Sequence, residues 1–167
     1  IDVDAVGIAA RNLSLLTLDG IDRRIAELTG LHQQYGKESH RASLQHAEML
    51  QQHLAEAVLR HQIFTHLFRA DATEGASIAA VLQDPKIDIV LTDIPYGRLA
   101  GWRSDSLALT QGEDPIHQLL ESLLAVLSNT AVVAVAAVKK DKIVHDCYKR
   151  LERFQVGARQ IVLLRPT

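Results

Sequence analysis

A single cysteine, Cys147, excludes a disulfide framework, so packing and hydrogen bonds alone must hold this chain of 167 residues together. Aromatic residues make up only 4%, which leaves very few side chains able to stack on a flat ligand. The longest unbroken apolar run, Ala131 to Val138, is far short of the roughly 18 residues that a membrane-spanning helix requires. No secretory leader is legible, and the expectation is a cytoplasmic protein. Neither sign of charge dominates: the formal net charge is −2, which gives no general attraction to a polyanion. An apolar content of 47% with nine glycines and four prolines excludes collagen-like and disordered chains. What remains is a globular chain with room for one proper core and too few residues for two ordinary domains.

The organising stretch is Thr92-Asp93-Ile94-Pro95-Tyr96-Gly97, placed directly after the apolar run Ile87-Asp88-Ile89-Val90-Leu91. A strand that ends this way delivers its last side chains to the carboxyl edge of a sheet, where open α/β sheets bind ligands. An acid, an apolar residue, a proline and an aromatic in that order suit a planar amine. The Asp93 carboxylate and a backbone carbonyl held in place by Pro95 can both accept its hydrogens while the Tyr96 ring stacks on the flat system. An exocyclic amine on a nucleobase is a poor nucleophile, because its lone pair is delocalised into the ring. Two acceptors that draw the nitrogen towards tetrahedral geometry catalyse by positioning and electrostatics, with no covalent intermediate.

Ahead of this stretch, Ile1-Asp2-Val3-Asp4 reads as the end of a strand. A helix over about 5–16 follows, with Asp4 as its N-cap and Val6, Ala9, Ala10, Leu13 and Leu16 as its apolar stripe. An acid ending the second strand of a Rossmann-like sheet commonly holds ribose hydroxyls, a role open to Asp2. Residues 18–60 do not fit a minimal alternation of strand and helix, and read as a helical insertion. Gly20 and Gly30 punctuate its first piece, Gly36 marks a turn and Ser39 caps a longer helix. Its histidines, His32, His40, His46 and His53, offer no pair three or four apart on one face, so no metal site is expected.

Ile63 to Phe68 alternates like a strand and leads into Arg69-Ala70-Asp71-Ala72, where Asp71 is placed to accept from an adenine amine, with Ala72 beside it. A cap or turn is the plainer reading of the same acid, because Thr73 and Glu74 lead into a helix over 76–82. Asp84-Pro85 then turns the chain into the organising strand. After the motif, 97–112 is a polar loop carrying Arg98, Trp102 and Arg103 as candidates for holding the substrate. The lone tryptophan lies where no core periodicity requires it, which suits stacking on a base as well as packing beneath the loop. A helix over 115–127 and an apolar strand over 131–138 come next, the strand expected to run parallel and to be covered on both faces. A short helix around 146–151 then leads to a closing antiparallel pair at Phe154-Gln155-Val156 and Ile161 to Leu164. From Lys139 to Arg165 eight basic residues stand against three acidic ones, a patch that suits phosphates as well as it suits a solvated face.

Asp93-Ile94-Pro95-Tyr96 resembles the Asp/Asn-Pro-Pro-Tyr signature of class I methyltransferases that use S-adenosylmethionine and act on amino nitrogens, with Ile94 in place of the first proline. Further stretches are similar to the avilamycin-resistance type of 23S ribosomal RNA methyltransferase, which methylates a guanine amino group. They are Ala9-Ala10-Arg11-Asn12-Leu13, Leu15-Leu16, Tyr35-Gly36-Lys37-Glu38-Ser39, Val90 to Gly97 with Trp102, and Gly157-Ala158-Arg159. The resemblance implies an α/β fold: a Rossmann-like class I methyltransferase sheet with a helical insertion, forming a single domain over 1–167. It implies that Asp93, Ile94, Pro95 and Tyr96 handle the base, and that Asp2, Asp71, Ala72 and Asp93 hold S-adenosylmethionine. Large-subunit ribosomal RNA is the implied partner of a monomer without metal, and antibiotic resistance is one role such an enzyme can have. The family's first strand and its Gly-rich turn would precede Ile1, so the sheet is expected to be incomplete at the N-terminus and the natural protein longer. The same acceptor geometry suits a DNA base or a glutamine amide, and a non-catalytic module for RNA or ribosome contact is the reading of a different class.

Overall fold

Every strand among the described residues lies in the second half of the chain. The computed structural model describes residues 3–82, 86–94 and 114–167, which fall into two units, Ile1–Arg69 and Ala70–Thr167. The first unit is helical: α1 (Val3–Ser14), α2 (Leu18–Tyr35) and α3 (Glu38–Arg60). Ile21 and Leu28 of α2 and Ala47 and Leu54 of α3 are buried together, each pair seven apart and therefore on one face of its helix. Gln51 of α3 donates to the Asp22 carboxylate of α2 beside this seam.

Several local expectations change here. Val3 and Asp4 are helical rather than the end of a strand, and Asp4 sits in the first turn of α1, where a carboxylate meets the positive end of the helix. Helix α2 runs through both Gly20 and Gly30. Gly20 marks a close approach, since a Cβ there would lie 1.8 Å from the Ser14 carbonyl oxygen. Thr17 caps this helix, its hydroxyl accepting from the Gly20 N–H at 3.1 Å. Ser39 lies inside α3, whose cap position is taken by Lys37. Ile63 to Phe68 forms no strand, and Phe64 is 80% exposed. Alternation supplies a face, but a strand also needs a neighbouring backbone, and none pairs with this segment among the described residues.

The second unit contains α4 (Gly75–Leu82), β1 (Ile87–Asp93), α5 (Pro115–Leu124), β2 (Leu127–Val138), β3 (Tyr148–Val156) and β4 (Arg159–Pro166). Its sheet has the order β1-β2-β4-β3. Strands β1 and β2 run parallel with α5 in the connection between them, as a parallel pair requires, while β4 is antiparallel to both β2 and β3. Asp114 caps α5, accepting from the Ile116 N–H at 3.0 Å, and Pro115 fills the first helical position. The core lies where Ile116, Leu119, Leu120 and Leu123 of α5 meet Ala131, Val133, Val135 and Ala137 of β2. Those β2 residues are fully buried and the alternating Val132, Ala134, Ala136 and Val138 are half-buried, so the strand is tightly covered on one face rather than on both.

The short helix expected around 146–151 is instead the start of β3. The ladder of β3 shifts from Arg150 opposite Leu164 to Glu152 opposite Leu163 and leaves Leu151 as an extra residue. No described helix is long and apolar enough to cross a membrane.

Candidate active site

Strand β1 ends beside the C-terminal end of β2, with Asp93 opposite Ala136. The next residue extends the ladder by one bond, the Ile94 N–H donating to the Ala136 carbonyl at 2.8 Å. Ile94 is 2% exposed and packs into the core. Successive strand side chains point to opposite faces, so burying Ile94 turns Asp93 the other way, and its side chain is 54% exposed. The apolar residue of the motif thus acts as the anchor that presents the acid.

Arg159, the first residue of β4, forms an ion pair with this acid, its Nη2 donating to Asp93 Oδ1. The register explains the meeting: Asp93 and Ile161 both lie opposite Ala136 of β2, and Arg159 is opposite Val138, two residues nearer the carboxyl edge. The neighbouring Gln160 fixes the backbone there. It is 2% exposed, and its amide donates to the carbonyls of Val138 at 2.9 Å and Asp141 at 2.7 Å. Lys139 and Lys140 follow β2 in an exposed turn at the same edge, where the Lys139 N–H donates to the Ala158 carbonyl at 3.3 Å. The edge therefore carries one exposed carboxylate and three cations, a pattern that accepts hydrogens from a base and tolerates phosphates close by.

Asp71 sits in the turn that opens α4. Its Oδ1 accepts from the Thr73 N–H at 2.9 Å and from the Thr73 hydroxyl at 2.7 Å, and the Ser122 hydroxyl of α5 donates to the Ala72 carbonyl. These bonds are the turn reading of the acid made visible, and they hold the carboxylate in a fixed orientation. A fixed carboxylate is the kind of group that an adenosine amine or hydroxyl requires, so the residue fits that use in chemistry. Asp2, Pro95, Tyr96, Arg98, Trp102 and Arg103 lie outside the described residues. Among the described residues no group of three or more His, Cys, Asp or Glu is arranged to hold a metal ion.

Arg159 is the residue that the motif alone does not reveal. Its signals in the sequence are its place in the basic stretch from Lys139 to Arg165 and in Gly157-Ala158-Arg159, one of the stretches that carry the family resemblance; neither pairs it with Asp93.

A family model described as the rRNA methyltransferase AviRa matches residues 1–159. The chain belongs to the AviRa family of rRNA methyltransferases. It is 34% identical over 167 residues to a protein of Streptomyces viridochromogenes named 23S rRNA (guanine(2535)-N(1))-methyltransferase, covering 99% of this chain and 63% of that protein. Two solved structures of the rRNA methyltransferase AviRa from the same organism match with TM-scores of 0.77 and 0.76 at 29% and 32% identity. In both cases the match covers 99% of this chain and 63% of the other. The chain thus spans under two thirds of the length of these AviRa relatives. Its architecture is the Rossmann-like α/β fold of that family, and Asp93 ends the second unit's one parallel pair among the described residues.

Proposed function

We propose that the protein transfers a methyl group from S-adenosylmethionine to a guanine of 23S ribosomal RNA, with Asp93 taking hold of the base. The observation that carries this reading is the exposed Asp93 carboxylate at the carboxyl edge of a parallel strand pair, in a chain of the AviRa family. The S. viridochromogenes relative is named for guanine N1, a ring nitrogen beside the exocyclic amine that the motif suggests by itself. N1–H and the amine lie on one edge of guanine and both donate, so one carboxylate can hold either.

Bound S-adenosylmethionine supplies an electrophilic methyl group on a sulfonium, and Asp71 and Asp2 are the acids that would hold its adenosine part. Methylation at N1 exchanges N1–H for N1–CH3, so the base must lose a proton as the new bond forms. Asp93 accepts that hydrogen, and its half-exposed carboxylate can release a proton to water. The Ile94 carbonyl is a second acceptor that Pro95 would fix, Tyr96 is the candidate to stack on the base, and Arg98, Trp102 and Arg103 are candidate contacts to the nucleotide. Lys139 and Lys140 provide the positive edge that RNA requires. The same reading makes the protein a cytoplasmic monomer that needs no metal ion.

The test is transfer of labelled methyl to unmodified 23S rRNA by the complete polypeptide, wild type beside Asp93→Ala. Removal of a positioned proton acceptor is expected to cut transfer by about 10²–10⁴-fold. Label in a guanine that persists in Asp93→Ala would exclude this role for the acid, and no transfer to RNA despite binding of S-adenosylmethionine would exclude the substrate.

A further inference from the structure

The charged contact at the carboxyl edge joins two residues that the chain keeps far apart. Asp93 and Arg159 stand on strands separated by β2, which puts their backbones roughly 10 Å apart across the sheet and about 7 Å apart along it. Only a long side chain spans that diagonal, and it must pass over Ala136 and Val138, the first of which has almost no side chain to obstruct it. As a stabilising device the contact is weak, because pairs this exposed contribute between nothing and about 1 kcal/mol. Gln160 nevertheless fixes the start of β4 with two part-buried hydrogen bonds, so Arg159 is delivered from a fixed backbone.

Resting on the reading that Asp93 holds the base, we propose that Arg159 is a positioning residue for the reaction. The guanidinium holds Oδ1 of Asp93 and so fixes the rotation of the carboxylate, which leaves Oδ2 to receive the hydrogen of the guanine nitrogen. No described residue donates to Oδ2. A carboxylate that must both accept from a base and be aimed at it gains from this division of labour, since a misplacement of about 1 Å costs on the order of 10²-fold in rate. Arginine suits the task better than lysine, because its planar fork sets a direction as well as a charge.

The experiment measures kcat, KM for RNA and the melting temperature of the complete polypeptide carrying Arg159→Ala, Arg159→Lys or Asp93→Ala. Positioning predicts that Arg159→Ala lowers kcat by roughly 10–100-fold while KM for RNA and the melting temperature stay close to wild type, and that Arg159→Lys restores part of the loss. Asp93→Ala without activity beside Arg159→Ala with full kcat would overturn the inference and leave the proposed function standing. A rise in KM alone for Arg159→Ala would also overturn it, making Arg159 a phosphate contact. Full activity of Asp93→Ala would remove both readings together.

Discussion

The two halves of this protein solve burial differently. In the second unit sixteen described apolar residues, from Ile78 to Leu164, form one buried cluster between α5 and the sheet. In the first unit four do, Ile21, Leu28, Ala47 and Leu54, all on the seam between α2 and α3. Exposed large apolar residues remain in both units: Ile8, Leu59 and Phe64 in the first, Ile89, Leu91 and Val156 in the second. A helix closes its backbone hydrogen bonds within itself and can stand on a narrow apolar seam, whereas a strand must be paired and needs a covered face. The candidate site is built where the core is deepest: Ile94 is buried in the large cluster and Asp93 is exposed next to it. Rigidity under the acid is what positioning chemistry needs.

The largest effect should come from thinning the two cores in turn. Leu120 has no exposed surface and lies at the centre of the large cluster. Leu120→Ala is expected to cost about 3–5 kcal/mol, and Leu54→Ala, on the helical seam, about 2–3 kcal/mol. Hydrogen exchange separates them. Leu120→Ala should raise exchange throughout β1, β2 and β4, whereas Leu54→Ala should raise it in α2 and α3 alone. Equal spreading from both sites would mean that the two cores act as one.

A smaller and more selective effect is expected at Tyr148. Its hydroxyl donates to the Leu120 carbonyl at 2.8 Å, which ties β3 to α5 through the core. Burial, with the negative charges of Glu121 and Cys147 adding to it, pushes this phenol well above its usual value of 10.0. A group raised in the folded state contributes its full stability below the unfolded value and loses it as pH rises from there towards the folded one. Tyr148→Phe should therefore cost about 1 kcal/mol at neutral pH. It should also flatten the loss of stability of the wild type above about pH 10, as read from urea titrations between neutral and strongly alkaline pH. A mutant with an unchanged alkaline limb would show that other groups govern it.

How far the sequence could be read follows the same division. The run Ile87 to Leu91, the helix after Pro115, the strand up to Val138 and the hairpin around Gly157 are all legible, because each is an apolar run or stripe bounded by turn or cap residues. Ile63 to Phe68 carries a strand-like pattern as well, but pairing is not encoded in the segment that needs it. The stretch 146–151 misleads in the opposite direction: it reads as a short helix, but from Tyr148 it is a strand, because the pairing with β4 that makes it one lies outside the segment. Asp93 is legible as an acid at a strand end. Its partner Arg159 is not, because a contact across three strands depends on registers that no local pattern records.

The smallest predicted effects test the helical unit by itself, through two glycines that look alike in the sequence. Gly36 ends α2 with φ at 59°, in the left-handed region, and its N–H donates to the His32 carbonyl at 2.8 Å. Gly30 lies inside the same helix, and a Cβ there would meet nothing within 4 Å. Gly36→Ala should destabilise by about 1 kcal/mol, because alanine resists that backbone conformation. Gly30→Ala should stabilise by about 0.5–1 kcal/mol, because alanine has the higher helix propensity and nothing obstructs it. Thermal unfolding followed by far-ultraviolet circular dichroism gives both signs. If both substitutions stabilised, the turn after α2 would be free to leave the left-handed conformation, and the angle between α2 and α3 would be set by the apolar seam rather than by Gly36.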